Sequence, residues 1–254
     1  MNSISRFFQR IHMDPNTTVV HPVDFLGLIQ TNCVLHIAYE NLDILAKKPL
    51  NLAPEALYEK IVLNGRGGYC FELNGLLTHM LREMGFSVSE RFARFLRGET
   101  TIPMRRHRVT VVHMEDGDYL CDIGVGQIAP RLPLKIEEET VQVQNNETYR
   151  FTKDARHGWI LWDLHNGCWR EYICFTDDEA LEVDFWQPSY FCENHPDSPF
   201  NKTYMLAIKT ETGRRTIDDR IYKVFEGEEL VHIEENISDA RLLSLLKNEF
   251  HLTI

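Results

Sequence analysis

Apolar residues after Cys70 fall at steps of three and four, which places Leu73, Leu76, Leu77, Met80, Leu81 and Met84 on one face of a helix. Gly85 is positioned to end it. Helical spacing extends back to Pro22. Phe25, Leu28 and Ile29 begin one helix, "ENLDIL" follows, and Pro54-Glu55 opens another that runs to Val62, with proline suited to a helix start. From Phe86 to about Glu182 the texture changes. "FSVSERFARFL", "RRHRVTVVHM", "DYLCDIGVG", "TYRFT", "GWILWDL" and "WREYICF" are short β-rich runs, parted by turn residues such as Asp116-Gly117 and Asn166-Gly167. Strands in series with no helix between them predict an antiparallel sheet or small barrel. The tail combines a proline-punctuated loop (Gln187 to Asn201), the strands "KTYMLAI", "RIYKVF" and "ELVHIEE", and a last helix carrying Leu242, Leu243, Leu245 and Leu246. The fold class is therefore α+β, with a helical first third, a β middle and a mixed end. No repeat or low-complexity linker divides the 254 residues.

Composition narrows the function. Apolar residues make up 43% and charged residues 26%, ordinary for a globular chain. A net charge of −11 argues against nonspecific binding to nucleic acid or anionic membrane. No apolar run approaches the roughly 20 residues of a membrane span, and "MNSISRFFQRIHMDP" does not read as a signal peptide. The six cysteines, at 33, 70, 121, 168, 174 and 192, include no C-x-x-C pair, so neither a zinc site nor a disulfide framework is expected. The thiols are read as reduced, the compartment as cytoplasmic and the site as free of metal.

One thiol has a special setting. In "NGRGGYCFELNG", Asn64 to Gly75, glycines lead directly into the first turn of the clearest helix. That turn carries unsatisfied N–H groups and partial positive charge. A cysteine there is favoured as thiolate, its pKa falling from about 8.5 to roughly 3.5–7.5 when a cationic partner helps. The alternative is that Cys70 is one more buried small hydrophobe. A thiolate nucleophile needs a histidine held by a third polar group. In "HRVTVVHM" strand alternation puts His107, Val109 and Val111 on one face, with Arg106, Arg108 and Thr110 on the other. Asp122 shares a face with Leu120. A hairpin turning at Asp116-Gly117 pairs residue 111 with 122. His107 and Asp122 then point the same way but stand four residues apart, roughly 13 Å. A bulge, a longer turn or strong twist is needed to close that gap.

At these residues the chain resembles the arylamine N-acetyltransferase family. "RGGYCFELN" is similar to its nucleophile motif R-G-G-x-C-x-x-x-N, and "HIAYENLDI" resembles its PFENL segment, with Ala38-Tyr39 where Pro-Phe is common. "RFFQRI", "DIGVG" and "DFWQPSYFCENHPDSPF" resemble further family segments. The resemblance implies a helical bundle (1–85), an antiparallel β-barrel (86–186) and an α/β lid (187–254) around a cysteine-protease-like core. It implies a triad of Cys70, His107 and Asp122, with Glu40 and Arg66 supporting the site as a buried ion pair. Tyr69, Phe71, Val125 and Gly126 are expected to line the substrate pocket. Arg105, Arg106 and Arg108, read as an outer-face cluster, are candidates to meet coenzyme A phosphates. The implied reaction moves acetyl from acetyl-CoA to an arylamine, arylhydrazine or N-hydroxyarylamine through an acetyl-cysteine, in a monomer or weak homo-oligomer. A cysteine peptidase or transglutaminase-like hydrolase using the same three residues is the alternative.

Overall fold

In the computed structural model, which describes residues 2–17 and 19–254, helices dominate the first third of the chain. They are α1 (Ser3–Arg10), α2 (Pro22–His36), α3 (Leu42–Leu45), α4 (Pro54–Tyr58) and α5 (Cys70–Glu83). A two-residue strand, β1 (Tyr39–Glu40), interrupts them, and α4 runs into a π-helical turn at Glu59–Leu63. α5 is the hub. Leu73, Leu76, Leu77, Met80 and Leu81, the apolar stripe of the sequence, are all buried against Phe7, Leu26, Ile29 and Ile61 from the surrounding helical segments.

The middle contributes β2 (Ser87–Phe95), β3 (His107–Met114), β4 (Gly117–Cys121), β5 (Leu134–Lys135), β6 (Gln142–Gln144), β7 (Glu147–Asp154), β8 (Gly158–His165) and β9 (Cys168–Phe175). They form an eight-stranded antiparallel sheet in the order β5-β4-β3-β2-β9-β8-β7-β6. Its two end strands are joined by side chains. Gln142 accepts from the Lys135 N–H and donates to the Lys135 carbonyl, both at 2.8 Å. Gln144 makes the same pair of 2.8 Å bonds to Leu132. The amides stand in for strand backbone, so the barrel nearly closes and the unpaired edges are covered. Val109, Leu120, Phe151, Leu161 and Tyr172 fill its interior.

Both faces of β3 are buried, which overturns the expected outer face for Arg108. Thr110 hydrogen-bonds Thr78 of α5 at 2.7 Å. Arg108 is 2% exposed, holds Glu90 at 2.5 Å and the Phe71 carbonyl at 3.2 Å, and lies over the Phe185 ring. A helix packed on the barrel wall turns what alternation reads as a solvent face into an interface.

The remainder adds α6 (Trp186–Asn194), β10 (Met205–Lys209), β11 (Gly213–Asp218), β12 (Ile221–Glu226), β13 (Glu229–Glu234) and α7 (Asp239–Asn248). α6 joins the helical region, burying Cys192 in its core, with Ser189 bonded to the Tyr69 hydroxyl at 2.6 Å. The second sheet, β1-β10-β11-β12-β13, is antiparallel and packs on α7 through Leu206, Ile217, Leu242 and Leu246. Its first strand comes from the N-terminal third, with Tyr39 opposite Ala207. Tyr39 also bridges Gly68, so the pairing brings the last sheet beside the loop that enters α5.

Candidate active site

The loop from Asn64 to Tyr69 is clamped on all sides. β1 runs along it, with the Glu40 N–H bonded to the Gly68 carbonyl at 2.9 Å. A Cβ at Gly67 would lie 2.1 Å from the Ala38 carbonyl oxygen, so only glycine admits this approach. Arg10, inside the "RFFQRI" segment, donates to the carbonyls of His36, Ile61 and Arg66. The structure brings Glu40 and Arg66 together at 2.7 Å, and Arg66 also reaches Asp43 at 3.1 Å. Lys60 then bridges Asp43 at 2.8 Å and Glu72 at 2.7 Å. Glu72 accepts the Tyr69 N–H and so caps α5. Two cations and three carboxylates thereby fix the segment that delivers Cys70.

Cys70 is the first residue of α5, and its sulfur lies 3.8 Å from the Arg106 carbonyl, one residue before His107. His107 and Asp122 are both buried, with Nε2 of the ring 2.7 Å from Oδ2 of the carboxylate. The expected hairpin register is corrected here. Met114 pairs with Gly117, so the turn is Glu115-Asp116 and Val111 faces Leu120, not residue 122. Continued, this register sets 122 opposite 109, two residues from His107 and not four. A two-residue slip keeps every side chain on its face, so the face assignment stands while the offset halves. Pairing ends at Thr110 and Cys121, and the chain then bends inward as the Gly124 N–H bonds Asp122 Oδ1 at 2.9 Å. No bulge is needed. An ionised carboxylate can only accept, so Nε2 carries the proton and Nδ1 is left as the basic nitrogen of the neutral ring.

Cys70 and His107 line one cavity of about 510 Å³. Tyr39, Phe95, Val125 and Gly126 line it too, as do Phe200 and, from the last sheet, Met205, Ala207, Thr216, Lys223 and Phe225. Tyr69 and Phe71 do not. Both are fully buried, Tyr69 against Phe200 and Ser189 and Phe71 against Phe185, because residues next to Cys70 at the helix start point to other sides of the axis. Their expected place in the substrate pocket is corrected to one in the packing beneath it. Of the three arginines, only Arg106 reaches the cavity, 3.3 Å from Glu99; Arg105 is exposed outside it. A larger cavity of about 710 Å³ is lined by Asp43, Lys60, Arg66 and Glu72 and does not touch Cys70. Among the described residues, no group of three or more His, Cys, Asp or Glu side chains is placed to hold a metal ion.

Burial pushes the Cys70 thiol well above its ordinary range; Cys192, Asp122 and Glu72 add to this, and the Phe71 N–H opposes it. Burial therefore works against the thiolate that the helix start favours. Sequence reasoning missed the cavity wall made by β10 to β12. β11, "GRRTID", has no apolar alternation, and its pairing with β10 is a long-range fact. It also gave no role to Asn74, although the residue closes the quoted nucleophile motif.

A family profile of N-acetyltransferases matches residues 23–254. An arylamine N-acetyltransferase / N-hydroxyarylamine O-acetyltransferase of Salmonella typhimurium is 30% identical over 98% of this chain and 88% of its own length. The solved arylamine N-acetyltransferase of Salmonella typhimurium superposes with a TM-score of 0.94 at 28% identity, covering all of this chain and 92% of that one. The Mycobacterium marinum arylamine N-acetyltransferase, solved in complex with CoA, gives 0.89 at 29% identity, covering 98% and 93%. Sharing sequence and fold over nearly its whole length, the chain belongs to the arylamine N-acetyltransferase family.

Proposed function

We propose that this chain transfers acetyl from acetyl-CoA to an arylamine, arylhydrazine or N-hydroxyarylamine by double displacement through Cys70. The observation that carries this reading is that Cys70 and His107 line one pocket while the buried Asp122 holds the His107 ring at 2.7 Å. Asp122 holds the ring in one tautomer and stabilises its charge. His107 takes the thiol proton at Nδ1, and the sulfur attacks the thioester carbonyl carbon. The bond from that carbon to the CoA sulfur breaks, and CoA leaves as a thiol with the proton from His107. In the second half the acceptor nitrogen attacks the acetyl carbonyl, the bond to Cys70 breaks, and His107 takes the amine proton. The Phe71 N–H, already directed at Cys70, is a donor for the oxyanion. The last sheet roofs the cavity and shields the acetyl-enzyme from water. Arg106 and Lys223 are the cations on its lining, suited to the phosphates of the donor.

Mixing the enzyme with acetyl-CoA alone should release CoA in a burst equal to the enzyme concentration, and Cys70→Ala should give none. A clean enzyme that shows no burst, yet cleaves a peptide or glutamine amide through Cys70, overturns the transferase reading in favour of a hydrolase.

A further inference from the structure

Asn74 is fully buried on α5, four residues after Cys70 and on the same helix face. Its Nδ2 donates to Asp122 Oδ1 at 2.8 Å and to the Arg108 carbonyl at 2.5 Å. Its Oδ1 accepts the Ile123 N–H at 2.9 Å. The partners fix the orientation of the amide, because a carboxylate and a carbonyl only accept and an N–H only donates. One side chain thus ties the helix of the nucleophile to the backbone beside His107 and to the bend that holds Asp122.

We propose that Asn74 is a positioning residue for Asp122, and through it for His107. The terminal torsion of an aspartate is broad and roughly two-fold, so the side chain itself does not choose which oxygen meets the ring. Asn74 and the Gly124 N–H both occupy Oδ1, which leaves Oδ2 turned to Nε2. Without Asn74 the carboxylate loses a donor and rotates, and the imidazolium loses the partner that stabilises it. The thiolate–imidazolium pair is then harder to form, and the pH at which Cys70 becomes reactive rises. Thr78, one turn further along α5, offers a contrast. It also links α5 to β3, through Thr110, but is not among the hydrogen-bond partners of Asp122, which are Asn74, His107 and the Gly124 N–H.

This role rests on the acetyl-transfer reading, and one experiment separates the two. The rate of CoA release from acetyl-CoA in the first turnover is followed from pH 5 to 9 for the unsubstituted enzyme, Asn74→Ala and Thr78→Val. Asn74→Ala should slow the burst about 100-fold and move its onset upward by about one pH unit or more, with the acetyl-CoA dependence little changed. Thr78→Val should keep the original onset. If Asn74→Ala does not fold, Asn74→Ser, too short to span the same partners, carries the same expectation. A full burst with an unmoved onset in the Asn74 variant overturns the positioning role alone, as does an equal shift in Thr78→Val. No burst in the unsubstituted enzyme overturns the reaction itself.

Discussion

Replacing Arg66 by methionine removes the cation from a carboxylate that has almost no water. The Glu40 side chain is 0% exposed, and its remaining hydrogen bond is the Leu42 N–H at 2.7 Å, with the Lys60 charge, shared with Asp43 and Glu72, as its other support. Asp43, by contrast, keeps Lys60 at 2.8 Å, so the damage centres on Glu40. Leaving one partner of a buried ion pair uncompensated costs about 3–5 kcal/mol. For a chain of this size each kcal/mol lowers Tm by about 2–4 °C, which gives a fall of about 6–20 °C. Removing both charges is far milder, since an apolar or neutral pair avoids the desolvation cost. Glu40→Gln/Arg66→Met should therefore recover about 2 kcal/mol or more relative to Arg66→Met alone. Urea unfolding at pH 7, with unchanged m-values, reads both numbers. The burst of CoA release should weaken in parallel, because Arg66 fixes the loop before Cys70. A single-variant loss under about 1 kcal/mol, the worth of an exposed ion pair, refutes the reasoning, and so does simple additivity of the two substitutions.

Two further outcomes follow from the same site. Burial raises Glu72 from its ordinary 4.5 to about 7, with Lys60 working against the rise. The folded chain then holds a proton there that the unfolded chain has lost, so this contribution to stability is present below pH 4.5 and disappears as pH rises through 7. Its ceiling is about 3 kcal/mol, and Glu72→Gln should flatten the stability profile between pH 5 and 8 in urea titrations; a profile parallel to that of the unsubstituted protein refutes it. Gly124→Ala would place a Cβ 2.8 Å from the Cys70 Cα and 2.7 Å from Asn74 Nδ2. Because Asp122 lies two residues away, the bend must shift and the burst should slow about 100-fold in a folded protein. A rate within threefold of normal would show that the close approach is not needed.

Periodicity within one element was legible in the residues themselves. The stripe on α5 predicts both the helix and its buried face, and the glycines before Cys70 predict a tight entry. Alternation placed His107 and Asp122 on the same face, correctly, because a face survives any even slip in register. It did not give the slip. The turn closes at Glu115-Asp116, one residue earlier than the Asp-Gly pair suggests, and that choice halves the strand offset between His107 and Asp122 from four residues to two. Arg108 was misread for a related reason. Alternation distinguishes two faces of a strand but does not say that a helix covers the second.

The amino-acid order by itself determined the helices between Pro22 and Glu83, the last helix, most strands, the candidate thiol and the residues able to serve it, since these depend on spacing between near neighbours; it did not give α1, and α6 stands where a proline-punctuated loop was expected. Only the tertiary structure decided which of them meet. β1 pairs with β10 across more than 160 positions, the last sheet walls the cavity, and Asn74 joins three distant segments. Such contacts are chosen by the packing of whole faces against one another, and no local run of residues carries that choice.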